Sequence, residues 1–326
     1  MPDLLAWYKC ARLTAGAFSL VALLGGCASL VPQTMGLRDA WPPGIAVQTE
    51  LRDVPFFPQQ EYQCGPAALA TTLVHAGARV TPEELAARVY IPERQGSLQV
   101  DMLAASRHYS KVSYKLAPRF DDLLQEVAAG NPVIVLQDIG IGPVTDWHYA
   151  VVVGFDYPAG ELYLRSGGTK RLAIPFTIFE YTWKKANYWA MLTMPPGRIP
   201  ATAVEPDYLA AIAAMERVGE PGATRLAYSA FLERWPDNIA ASIGLANQHY
   251  ALGELKEAES VLRPVLASHP DSVAVANNLA QILSDLGRND EALAIIERVV
   301  LPDKSPFAAS VGDTRALILQ RMGRNR

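Results

Sequence analysis

Cysteine is scarce in this sequence: three in 326 residues, with no CxxC pair. That excludes a disulfide scaffold and a zinc-knuckle type of metal site. Charge of one sign is not in excess either. Lys and Arg total 29 against 33 Asp and Glu, a formal net charge of −4. A chain so balanced lacks the basic footprint of nucleic-acid binding. No G-x-x-x-x-G-K-[ST] occurs, and Ser166-Gly167-Gly168 is too short and wrongly flanked for a phosphate loop. No His/Cys/Asp spacing suits a metal, so neither cofactor nor metal is expected. What is present is apolar: 50% of residues, with only 19% charged. Such a chain buries a sizeable core, and its length calls for two folded units.

The amino terminus reads as an export address. Lys9 and Arg12 form a short basic stretch, and Leu13 to Leu24 an apolar run too short for an ordinary membrane span. It ends in Leu24-Gly25-Gly26-Cys27. This resembles the bacterial lipobox, which implies cleavage after residue 26 and lipidation of Cys27. Ala28 behind the cysteine implies, by the same resemblance, sorting to the outer membrane of a Gram-negative envelope, facing the periplasm. Residues 27–50 hold several Pro and Gly without sustained periodicity and read as a tether that lifts the protein off the membrane. Cys64 is then the one remaining free thiol.

Residues 51–195 read as an α+β body. "CGPAALATTLVHAG" (64–77) is an apolar helix ending at Gly77. "TPEELAARVY" (81–90) starts a helix with Thr81 as N-cap, Pro82 at the first position and Glu84 in the capping-box place. Two further helices are expected at 97–108 and 120–129. Strands are expected at 132–138, 147–155, 161–165, 171–176 and 188–194, rich in Val, Ile and aromatics. Helices followed by strands with short turns indicate an antiparallel sheet. Four prolines in 194–206 mark a linker, placed at 196–205. From 206 to 326 the pattern is helical, and it repeats. Gly219, Gly253 and Gly287 lie 34 apart, as do Pro236 and Pro270, and Ala258 and Ala292. This resembles the tetratricopeptide repeat, with three repeats at about 203–236, 237–270 and 271–304 and a capping helix at 306–323. Thr224 stands where the later repeats have Ala.

Cys64 lies where an irregular segment enters a helix. Unpaired N–H groups and the helix dipole there favour a thiolate. Gln59, five residues upstream, is placed to donate an amide N–H to a developing oxyanion. His148, in "DWHYAVVVGF" (146–155), sits at the mouth of an apolar strand, a rigid mount for a base. Nucleophile on a helix start and base on a strand suit acyl chemistry. His75, His108, His249 and His269 read as helix-surface or repeat residues.

Residues 51–195 resemble the bacteriocin-processing, or double-glycine, family of papain-like cysteine peptidases, on "Q-x4-CGPAAL" and "HYAVVVGF". The resemblance implies Cys64 as nucleophile, His148 as base and Gln59 as oxyanion donor. It also implies an Asp or Asn at the end of the strand after the histidine strand. Here that position runs into Ser166, which is assigned the role of holding the imidazole. Asp156 at the hairpin turn and Asp146 two residues before His148 are the nearby acids. The expected whole is an α+β papain-like domain, with N-terminal helices and an antiparallel sheet, followed by an all-α tetratricopeptide solenoid. Its function would be an envelope-anchored cysteine peptidase, with the repeats recruiting a peptide or protein client. A peptide-binding module with a weakened site, an amidase or acyltransferase on an envelope polymer, and a purely structural repeat lipoprotein are the competing readings.

Overall fold

The computed structural model describes residues 30–59, 63–302 and 304–324. The expected signal segment and Cys27 lie outside the described residues. The chain divides into two compact units. One consists of the residues up to Met102 with Lys115–Leu192, the other of Leu103–Tyr114 with Thr193–Arg326. Among the described residues no helix is long and apolar enough to cross a membrane.

The first unit is built on a sheet of seven strands, of which Val112–Lys115 falls almost wholly among the residues of the second unit. Its strands are β1 (Gln48–Glu50), β4 (Val112–Lys115), β5 (Val133–Asp138), β6 (Trp147–Asp156), β7 (Glu161–Ser166), β8 (Thr169–Pro175) and β9 (Ala190–Met194). The order is β4-β9-β5-β6-β7-β8, and every register determined is antiparallel. Strand β6 is the axis. Its first half pairs with β5, and its far end pairs with β1. A small hairpin, β2 (Tyr90–Ile91) with β3 (Gly96–Ser97), stands apart. Residues 150–153 on β6 and 133–135 on β5 are wholly buried, as expected of strands covered on both faces.

Helix α2 (Cys64–His75) is apolar nearly all round, and Gly65 to Leu73 are all buried, which is the pattern of a central helix. It packs against β6. Helix α3 (Pro82–Val89) begins with the full reciprocal capping box of Thr81 and Glu84. Helix α4 (Gln99–His108) and α5 (Phe120–Ala128) match the remaining expectations to within two residues.

Three parts of the sequence reading are corrected here. First, the described part of the supposed tether is built into the first unit. Residues 32–39 form α1, whose backbone N–H groups at Gln33 and Thr34 donate to the buried Glu180 carboxylate at 2.9 and 2.6 Å. Residues 48–50 are strand β1. A distant carboxylate thus supplies the N-terminal capping that α1 lacks locally. Second, the stretch between the expected strands 171–176 and 188–194, to which the sequence pattern assigns no element, is helix α6 (Phe176–Lys185). Its Phe176, Phe179 and Trp183 cluster on Phe120 with ring centroids 5.4–6.0 Å apart. Third, β4 was missed because it is only four residues long.

The second unit carries three helix pairs: α7 (Glu205–Glu216) with α8 (Pro221–Arg234), α9 (Ile239–Ala251) with α10 (Leu255–Ser268), and α11 (Val273–Asp285) with α12 (Asn289–Ile296). Helix α13 (Ala308–Arg324) follows. Gly253 and Gly287 turn between paired helices with φ of +76° and +80°, which explains glycine at that repeat position. Gly219 departs from this. Its φ is not positive, and its N–H bonds back to the Met215 carbonyl at 2.7 Å. Thr224, Ala258 and Ala292 are equally buried at the helix crossings, so a small side chain of either kind fits.

Candidate active site

Cys64 is the first residue of α2 and Gln63 its N-cap. His148 is the second residue of β6 and Ser166 the last of β7. Cys64, His148 and Gln59 line one open cavity of about 840 Å³, together with Ser97, Asp146 and Tyr149. The structure therefore brings the sequence-proposed nucleophile, base and oxyanion donor to one place. It adds Ser166 through the ring: His148 Nε2 and Ser166 Oγ are 2.8 Å apart. With Nε2 engaged there, Nδ1 is the ring nitrogen left for exchanging a proton inside the cavity.

Gln59 is held at three points. Its backbone N–H donates to the Gly167 carbonyl and its Oε1 accepts the Gly167 N–H, both at 3.0 Å. Its Nε2 donates to the Tyr149 carbonyl at 3.2 Å. The amide has a second N–H, which remains for a ligand. Gly167 has φ +56°, so the turn after Ser166 suits glycine.

The electrostatics correct one expectation. Backbone hydrogen bonds from Tyr149, Gly65 and Cys64 itself do favour a thiolate, as a helix start should. Burial outweighs them and pushes the Cys64 thiol up, and the charge of Asp146 adds to this. Burial likewise pushes the His148 imidazolium down, with Asp146 partly opposing. Burial thus favours the uncharged form of each group over an ion pair.

Of the two candidate acids, Asp156 is elsewhere and occupied. It lies at the far end of β6, where it accepts from Gln48 Nε2 and the Ala159 N–H, each at 2.9 Å. It caps the hairpin turn. Asp146 lines the cavity and acts on both Cys64 and His148 through its field. His75 and His249 bond to the Gly130 carbonyl and to Glu254, and none of the other four histidines lines the cavity.

Sequence reasoning missed three supports of the site. Buried Asp138 accepts the N–H groups of Gly140 and Asp146 and pairs with Lys185 at 3.4 Å, shaping the loop before His148. Buried Arg165 spreads its guanidinium over the carbonyls of Leu51, Arg52, Val54 and Lys170. It fixes the segment that leads to Gln59. Tyr149 donates its hydroxyl to the Ser97 carbonyl at 3.2 Å. An Asp ending one strand and an Arg inside another were the available signals, since buried charges are rare without a task.

Residues 51–191 match the Peptidase_C39 like family, and residues 205–277 and 251–310 match the tetratricopeptide repeat. The chain thus carries a C39-like peptidase domain followed by tetratricopeptide repeats. A crystal structure described as a C39-like peptidase from Bacillus anthracis covers 45% of this chain and 97% of its own, at 18% identity and a TM-score of 0.39. Cellulose synthase operon protein C of Pseudomonas fluorescens (strain SBW25) is 36% identical over 76 residues. That match spans 23% of this chain and 6% of the relative's length.

Proposed function

We propose that the first unit is a cysteine peptidase that cleaves a peptide or protein client. The observation that carries this is the His148–Ser166 bond of 2.8 Å beside a cavity that also holds Cys64 and Gln59. In this reading the neutral His148 takes the thiol proton as Cys64 Sγ attacks the peptide carbonyl. The free N–H of Gln59 and the backbone N–H of Cys64 receive the oxyanion. His148 then passes its proton to the leaving amine, and water hydrolyses the thioester. Cysteine needs less assistance than serine, so a hydroxyl in place of an orienting carboxylate lowers the rate without removing the mechanism.

The repeats point to protein–protein interaction, and in this reading they select the client. The lipobox-like Leu24-Gly25-Gly26-Cys27 supports a lipid anchor at Cys27, in a Gram-negative outer membrane facing the periplasm. Radiolabelled palmitate incorporation lost in Cys27→Ser tests that part by itself.

A second reading is a peptide-binding module. It is favoured by the absence, among the described residues, of a carboxylate hydrogen-bonded to His148 and by the raised thiol. One experiment separates the two. The full chain is incubated with a proteome-derived peptide mixture, and new N-termini are read by mass spectrometry against Cys64→Ala. Termini that depend on Cys64 support the peptidase. Peptides retained equally by both proteins, with no new termini, overturn it and select the binding module.

A further inference from the structure

The loop between β5 and β6 is a built apolar tip. Its base is fixed by the Ile139 N–H on the Asp146 carbonyl at 2.9 Å, and by Asp138 holding the N–H groups of Gly140 and Asp146. Gly140 is required inside it, because a Cβ there would lie 2.0 Å from the Val144 carbonyl oxygen. This frame turns aliphatic side chains to solvent. Ile141 is 89% exposed, Val144 66% and Trp147 49%, and Ile139 is exposed as well. Isolated exposed apolar residues need no explanation, but a hydrogen-bonded loop carrying three, with Trp147 at the start of β6 beside them, does.

Helix α6 lies beside it and extends the same character. Ile178 and Tyr181 are exposed and, with Lys185, fall at i, i+3 and i+7, one stripe of the helix. Lys185 Nζ donates to the Gly140 carbonyl at 3.3 Å and lies 5.1 Å from the Tyr181 ring centre. One residue earlier, Lys184 Nζ donates to the carbonyl of Leu30, the first described residue, at 3.4 Å. Leu30 is itself exposed. The N-terminal segment therefore joins the domain at the C-terminal end of α6, the same end of the helix that holds Gly140 of the loop.

We infer that the loop 139–147 and the outward stripe of α6 rest on the bilayer that holds the N-terminal segment, so that the Cys64 cavity opens at the membrane surface. This rests on the anchoring reading given above. Only residues 28 and 29 separate Cys27 from Leu30, and an extended chain spans about 3.3–3.6 Å per residue. A lipid on Cys27 would thus keep the domain against the headgroups rather than lift it away. Exposed Ile and Val with Trp and Tyr beside them is the composition of a membrane interface. Thr145, Asp146 and Trp147 belong both to this tip and to the cavity lining, so a client held at the membrane would meet Cys64 directly.

The test uses the full chain reconstituted into vesicles of phosphatidylethanolamine and phosphatidylglycerol, with or without bromine on the upper acyl chains. Wild type is compared with Trp147→Phe and with Ile141→Asp combined with Val144→Asp, all on the exposed loop. The expected result is quenching by bromine in wild type that is reduced in Trp147→Phe, with the double variant losing the Trp147 share. A chain that sediments with the vesicles but is quenched equally in wild type and Trp147→Phe overturns the inference and leaves the anchor standing. A chain that stays in the supernatant overturns the anchor, and this inference with it.

Discussion

Gln59 and Gly167 are tied to each other twice, backbone N–H to carbonyl and backbone N–H to side-chain Oε1, each at 3.0 Å. The tie joins the segment before the nucleophile to the turn directly after Ser166. The proposed oxyanion donor and the imidazole's partner are therefore placed by one local structure, although they lie more than a hundred residues apart in the chain. In the peptidase reading Gln59 has two tasks: its Oε1 holds the turn, and the Nε2 N–H not given to the Tyr149 carbonyl serves the oxyanion.

Gln59→Glu separates them, because it keeps an acceptor for the Gly167 N–H and removes the amide donor. It should melt somewhat earlier, because the Nε2 bond to the Tyr149 carbonyl goes with the amide, and lose roughly 10²–10³-fold in kcat, the usual effect of deleting an oxyanion donor. Gln59→Ala should lose kcat and melt earlier still. Equal melting temperatures with equal kcat in all three proteins would assign Gln59 to neither task.

In the peptidase reading Ser166 is a positioning residue, acting on substrate only through His148. Ser166→Ala removes one neutral hydrogen bond of about 1 kcal/mol, a roughly fivefold loss of kcat with KM unchanged. Ser166→Asp places a carboxylate at the same ring nitrogen. That favours the imidazolium, so the acid limb of the pH profile should move to higher pH. A structural filler at 166 would leave the profile where it is.

Burial sets the pH dependence of the wild type. His148 must be neutral to accept a proton, and its imidazolium is pushed down. Activity should therefore persist below the ordinary imidazole value of about 6.5 before it falls. Cys64 is pushed up, so the proton needed by the leaving amine is retained above the ordinary thiol value of about 8.5. The measurement is kcat/KM against pH, with iodoacetamide alkylation of Cys64 as a second readout. Fast alkylation on a plateau below pH 7 would show a resting ion pair instead.

The legible parts of the sequence were those with local signals. Pro82 behind Thr81 and ahead of Glu84 gave a helix start that the structure reproduces bond for bond. The 34-residue period gave the repeats, and the chemistry of Cys64 and His148 drew attention to the two residues that share a cavity. What escaped is held by distant partners. Helix α1 is short and capped by Glu180, 146 residues downstream of Thr34. Strand β1 exists because β6 offers an edge near Asp156. In α6, Phe176, Phe179 and Trp183 have helical spacing, but the stretch is short and lies between strands, and it is the packing on Phe120 that accounts for it.

Gly65 follows the nucleophile for a steric reason that can be tested without any substrate. A Cβ at this position would lie 2.5 Å from Ser97 Oγ and 2.7 Å from Ser97 Cβ. Strand β3 thus lies directly against the first turn of α2. Gly65→Ala should cost about 1–3 kcal/mol through overpacking, read as a lower denaturant midpoint. The Ser97 hydroxyl is buried without a hydrogen-bond partner, so removing it forfeits no bond. Ser97→Gly should accordingly recover most of the stability lost in Gly65→Ala, and a double-mutant cycle should show strong favourable coupling. Additive losses would mean that the helix start tolerates the methyl by moving away from β3. In that case Cys64 would move with it, and kcat would fall even where stability held.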